Sequence, residues 1–161
     1  MTERAPPAAR ALIEGLGLAP HPEGGHYRQI YRSPHAVDPR DGRPLRPALT
    51  TIDFVLARGE HSAWHRVRSD EVWHLLEGGP LLLWLAPPAL DRVERVELGP
   101  PCRRHVVPAD WWQAAEPAGE FAYVGATVGP GFDFADFAFG RDEAALARML
   151  DERAPDLRRL L

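Results

Sequence analysis

The chain has 161 residues, enough for one domain with a real core. Its single cysteine, Cys102, excludes an internal disulfide, and a net charge of -4 with interspersed signs excludes the basic footprint of a nucleic-acid binder. All 19 basic residues are Arg, so a Schiff-base lysine is excluded as well. The N-terminal stretch MTERAPPAAR carries an early Glu and no continuous apolar run, so it does not read as a secretory leader. The longest apolar run, around Leu81 to Leu90, is broken by Pro87 and Pro88 and is too short to span a bilayer. The expectation is a cytoplasmic protein with no membrane contact.

In chain order, residues 8–16 predict a short helix with Leu12, Ile13 and Leu16 on one face and Gly17 just beyond its end. A Pro- and Gly-rich turn covers residues 20–25. Short runs rich in β-branched and aromatic residues follow, at 26–32, 48–57, 61–66, 71–76, 81–85, 93–98, 104–107, 111–115, 121–128 and 132–139. Runs of this length, separated by turn residues, describe an all-β sandwich or barrel over residues 26–140. The proline-rich, charged segment 33–47 reads as an exposed loop. In 132–139, alternation puts Phe132 and Phe134 on one strand face and Phe137 and Phe139 on the other. Residues 142–151 predict a second helix with Leu146, Met149 and Leu150 on its apolar side. No repeat and no internal boundary divides the chain, so residues 1–161 are read as one domain.

The chemistry concentrates in GEHSAWHRVRSDEVWHLLEG, residues 59–78. Alternate side chains of a strand share a face, so His65 and Val67 point the same way. After the turn at 68–70, Glu71 points in beside them, followed by Trp73 and Leu75, while Val72, His74 and Leu76 face outward. The stretch resembles the first cupin signature at Gly59, His65, Glu71 and Gly78, and departs from it at Val67, where a second histidine is expected. VVPADWWQAAEP, residues 106–117, resembles the second signature in layout. It keeps Pro108 but has Asp110 for Gly, Gln113 for the histidine and Pro117 for Asn. Asp tolerates the left-handed geometry that a Gly there would supply.

Four passages together, GLAPHPEGGHYRQIYRS (15–33), SAWHRVRSDEVWHLLEG (62–78), VVPADWWQAA (106–115) and VGATVGPGFDFADFAFG (124–140), resemble a small cupin family of unassigned function found in bacteria and fungi. It lies within the RmlC-like superfamily that includes the dTDP-sugar epimerases. The resemblance implies a jelly-roll double-stranded β-helix with short terminal helices, a homodimer, and a pocket inside the barrel. It also implies that Gln at position 113 is ordinary for the family.

Three functions stay open on these residues. The first is a binder of a small, carbohydrate-like or polar organic ligand, with Tyr27, Arg28, Trp73 and Gln113 as contacts. The second is a metal-independent epimerase or isomerase in which His65 and Glu71 act as an acid–base pair and Tyr123 as a second acid. The third is a metal-dependent enzyme with Fe, Mn, Ni or Zn on a depleted set of His65, Glu71 and Gln113. The turn PHPEGGHYR (20–28) holds two His and a Glu, and reads as a loop that closes over the barrel mouth.

Overall fold

A computed structural model describes residues 5–161. Residues 1–4, and with them the start of the stretch weighed above as a leader, lie outside the described residues.

The first helix, α1 (Pro7–Gly15), starts on Pro7, whose missing N–H costs nothing in a first helical turn. Leu16 is its C-cap, and Gly17 follows at φ +62°, so the helix begins and ends one residue earlier than the 8–16 reading. Thirteen strands follow: β1 (Ala19–Pro20), β2 (His26–Arg32), β3 (Ala36–Val37), β4 (Arg46–Pro47), β5 (Thr50–Ala57), β6 (Ser62–Val67), β7 (Asp70–Gly78), β8 (Leu81–Ala86), β9 (Glu94–Leu98), β10 (Arg104–Val107), β11 (Trp112–Pro117), β12 (Phe121–Gly129) and β13 (Phe137–Phe139). The second helix, α2 (Ala144–Arg153), starts two residues later than expected. Residues 140–142 first make a 3₁₀ turn, and the Glu143 carboxylate then accepts from the Ala145 N–H at 3.2 Å.

Among the described residues all pairings are antiparallel, in a six-stranded sheet ordered β1-β2-β5-β12-β7-β10, a five-stranded sheet ordered β13-β6-β11-β8-β9 and a separate β3-β4 pair. This is the all-β jelly-roll barrel with short terminal helices. Its closed end is filled by Phe54, Leu56, Trp73, Leu75, Leu83, Leu85 and Val124, drawn from both sheets. The helix α2 covers Trp64 and Trp112 on the outer side of the five-stranded sheet, with Leu146, Met149 and Leu150 buried as periodicity requires. The helix α1 lays Ala9 and Ile13 against Val55 and Ala57 of the other sheet.

Two expectations are corrected. The segment 33–47 is no simple exposed loop. It contains the β3–β4 pair, and Arg43 and Arg46 are only 9% and 7% exposed. Both grip Asp136, itself buried, with Arg43 Nη1 and Arg46 Nη2 each donating at 2.8 Å. Nor is 132–139 a single strand. Asp133 accepts from the Ala135 N–H at 2.8 Å and starts a 3₁₀ turn over Phe134–Asp136, leaving only β13 extended. Strict alternation therefore fails, and Phe132, Phe134, Phe137 and Phe139 pack edge-on against one another rather than splitting between two faces.

Candidate functional site

The open end of the barrel holds a cavity of about 260 Å³. Its floor presents Glu23, His65 and Glu71, and its aromatic side is Phe132, Phe134 and Phe137. Strand parity puts His65 and Val67 of β6 and Glu71 of β7 inside, and all three line the space.

Around Glu71 the hydrogen bonds run in one direction. The Trp73 indole can only donate, and its Nε1 lies 2.8 Å from Gln113 Oε1, so the amide oxygen must face the tryptophan. The Gln113 amide nitrogen then donates to Glu71 Oε2 at 2.6 Å. Burial nevertheless pushes the Glu71 carboxyl up to about 7; a nearby His65 charge would pull it down, Glu23 pushes it further up, and the Gln113 bond pulls it down.

His65 is 2% exposed and stacks on Phe137 with ring centroids 5.3 Å apart. Its Nδ1 lies 2.7 Å from the Ala63 carbonyl oxygen, which can only accept, so Nδ1 carries a proton. Its Nε2 lies 3.1 Å from Glu23 Oε2. Burial lowers the imidazole and pushes the Glu23 carboxyl up to about 8. At neutral pH the proton between them therefore rests on Glu23, whose O–H donates to a neutral His65. His21, beside them, is held down to about 4 by burial first and by His65 second.

Glu23 reaches the floor because of its turn. Gly24 and Gly25 have φ +110° and +71°, and a Cβ on Gly24 would collide with the His61 carbonyl. The Glu23 carbonyl accepts from the Ala63 N–H at 2.8 Å and locks the turn to β6. By composition PHPEGGHYR reads as a loop over the barrel mouth, with no role for Glu23. Two His and a Glu flanking a glycine pair were the available signal.

The other residues singled out from the sequence separate into two groups. Tyr27 lines the cavity, and Gln113 lies fully buried behind Glu71. Trp73 is 1% exposed in the core, where it orients Gln113 and does not face the cavity. Arg28 and Tyr123 lie on the opposite face of the six-stranded sheet by strand parity. Arg28 stands opposite Asp53, and the Tyr123 hydroxyl donates to the Asp53 carboxylate at 3.0 Å. Tyr123, expected as a second acid, and Arg28 and Trp73, expected as ligand contacts, do not line the cavity.

A family described as Cupin superfamily (DUF985) matches residues 10–140. The chain belongs to this cupin family. The cupin is similar to a hypothetical protein from Leishmania major, at 30% identity and TM-score 0.76, over 92% of this chain and 93% of that one. It is also similar to protein SO0799 from Shewanella oneidensis, at 30% identity and TM-score 0.75, over 92% and 91%. Oxalate decarboxylase from Bacillus subtilis shares the fold at 13% identity and TM-score 0.57, over 76% of this chain and 30% of that one. No curated protein matches the cupin.

A metal on the signature positions does not fit the residues present. Val67 offers hydrocarbon, Gln113 turns its N–H₂ and not its oxygen toward Glu71, and the His65 Nε2 is engaged by Glu23. Among the described residues no group of three His, Cys, Asp or Glu has metal-holding geometry.

Proposed function

We propose that this cupin binds a small, polar, carbohydrate-like organic molecule in the barrel cavity without a resident metal. The observation that carries the reading is the combination of aromatic wall and hydrogen-bonding floor in one cavity of about 260 Å³. Phe132, Phe134 and Tyr27 supply flat apolar faces for the C–H side of a sugar-like ring, and the Glu23 and Glu71 carboxyls supply donors and acceptors for its hydroxyls, with His65 orienting Glu23.

A second reading, metal-independent isomerisation, is favoured by one feature. Burial brings two carboxyls of the same cavity to about 7 and about 8, so one can accept a proton near neutral pH while the other holds one to give. In that reading Glu71 is the base, Glu23 the acid, and His65 the group that orients Glu23. The cupin acts in the cytoplasm as a homodimer in either case, and the exposed Leu76 and Val106 on the outer sheet face support self-association.

The test is thermal stabilisation by a panel of free sugars and polyols, with His65→Ala as the control. The proposal expects at least one member to raise the Tm of the wild-type protein, and the variant to remain folded without responding. A panel that leaves wild-type Tm unchanged, or raises the variant's equally, removes the binding site. Deuterium taken from solvent into the bound sugar separates the isomerase from the binder.

A further inference from the structure

The charge of the cavity narrows the ligand class, and this step rests on the binding reading above. The described residues lining the cavity include two carboxyls, two imidazoles and no Arg. The chain has no Lys to supply a cation instead. The guanidiniums that anchor the aromatic segment are already committed: Arg46 to Asp136, and Arg43 to Asp136 and Asp41. A phosphate, sulfate or carboxylate group entering the cavity therefore meets no guanidinium or ammonium among the described lining residues. It faces the buried Glu71 carboxyl, where like charges are poorly screened.

We infer that the cavity selects neutral polyols or small monocations such as amino sugars, and rejects sugar phosphates, nucleotide sugars and dicarboxylates. The titration behaviour agrees. Burial places Glu23 at about 8 and Glu71 at about 7, and holds His21 at about 4 and His65 below its usual value. Near neutral pH the floor thus ranges from uncharged to singly negative and is not positive. An ammonium group would find Glu71 as a counter-ion, and a hydroxyl would find donors and acceptors on the Glu23 and Glu71 carboxyls.

Charge selection is testable without knowing the natural ligand. Val67 lines the cavity beside His65, and Cys102 is the one native thiol, exposed elsewhere. In a Cys102→Ser, Val67→Cys protein, the rate of modification by methyl, aminoethyl (cationic) and sulfonatoethyl (anionic) methanethiosulfonates reports access by charge. In each case the thiolate forms a disulfide with the reagent and expels methanesulfinate. Rates are taken relative to those of the same reagents with 2-mercaptoethanol, and Val128→Cys, on the same cavity wall, is the second position.

The expected result is an anionic reagent slowed at least about tenfold relative to the neutral one at both positions, with the cationic reagent not slowed. Adding Glu71→Gln should recover most of the anionic rate. An anionic reagent as fast as the neutral one overturns the inference while leaving the cavity reading intact. No modification by even the neutral reagent at either position means the cavity is closed to small molecules, and then the binding reading itself falls.

Discussion

At the scale of single residues, the site is defined by where protons sit. His65, Glu71 and the inward face of their strands follow from a period of two in the sequence, and Asp110 occupies left-handed geometry at φ +66°, as its replacement of Gly suggests. Glu23 was not legible in that way, because its position depends on two glycines folding a turn against β6, and no strand period reaches it. Tyr123 misled for the opposite reason: a late-strand tyrosine is chemically suitable, but its parity sends it outward to Asp53. The raised carboxyls give a stability prediction. Glu23 and Glu71 hold protons in the folded state up to about 8 and about 7, against 4.5 when exposed. Between those limits the native state binds more protons than the unfolded one, so their contribution is fully present below the unfolded value and is lost as pH rises. Below pH 6.5 the depressed His21 and His65 work the other way, so unfolding free energy should fall mainly between about pH 6.5 and pH 8, by an amount on the order of 2 kcal/mol, and Glu23→Gln should flatten a large part of that slope. Chemical denaturation at several pH values checks it, and an unchanged slope in the variant contradicts the assignment.

At the scale of elements, the segment carrying Phe132 to Phe139 is the one whose sequence pattern misleads most. Four Phe at close spacing satisfy a strand's composition, yet an Asp cap at Asp133 turns the chain, and the packing that results depends on distant residues. The Thr50 hydroxyl accepts from the Phe132 N–H at 2.8 Å, and Arg43 and Arg46 reach across from 33–47 to Asp136. A proline-rich, charged stretch looked like solvent-facing loop because nothing local announces that its arginines have a buried partner 90 or more residues away. The Arg46 and Arg43 guanidiniums hold the Asp136 carboxyl below the usual carboxylate range. Asp136→Asn should therefore lower Tm by several degrees and loosen the aromatic wall. The neutral thiosulfonate should then modify a cysteine at position 67 about severalfold faster than in the parent. An unchanged rate would show that the ionic clasp stabilises the fold without shaping the cavity.

At the scale of the molecule, the architecture was legible almost throughout, since ten apolar runs of strand length leave little besides a barrel, and four sequence passages point to one family. What the sequence could not reveal is what occupies the signature positions in space: Val67 turns a ligand position into apolar wall, and Gln113 is held by Trp73 so that it supports a carboxyl instead of a cation. Protein purified without chelator should accordingly contain less than about a tenth of an equivalent of any transition metal after loading and buffer exchange. A full equivalent, lost on Glu71→Gln, would restore the metal reading.

The most direct measurement is the infrared C=O absorption of protonated carboxyl groups, followed in unliganded protein from about pH 5 to about pH 9. The account predicts two buried carboxylic-acid bands that persist at pH 6 and vanish near pH 7 and pH 8, with Glu23→Gln deleting the later one. Full ionisation of both carboxyls by pH 6 would contradict it, because His65 would then lie between two charges and no proton would be stored at the base of the barrel.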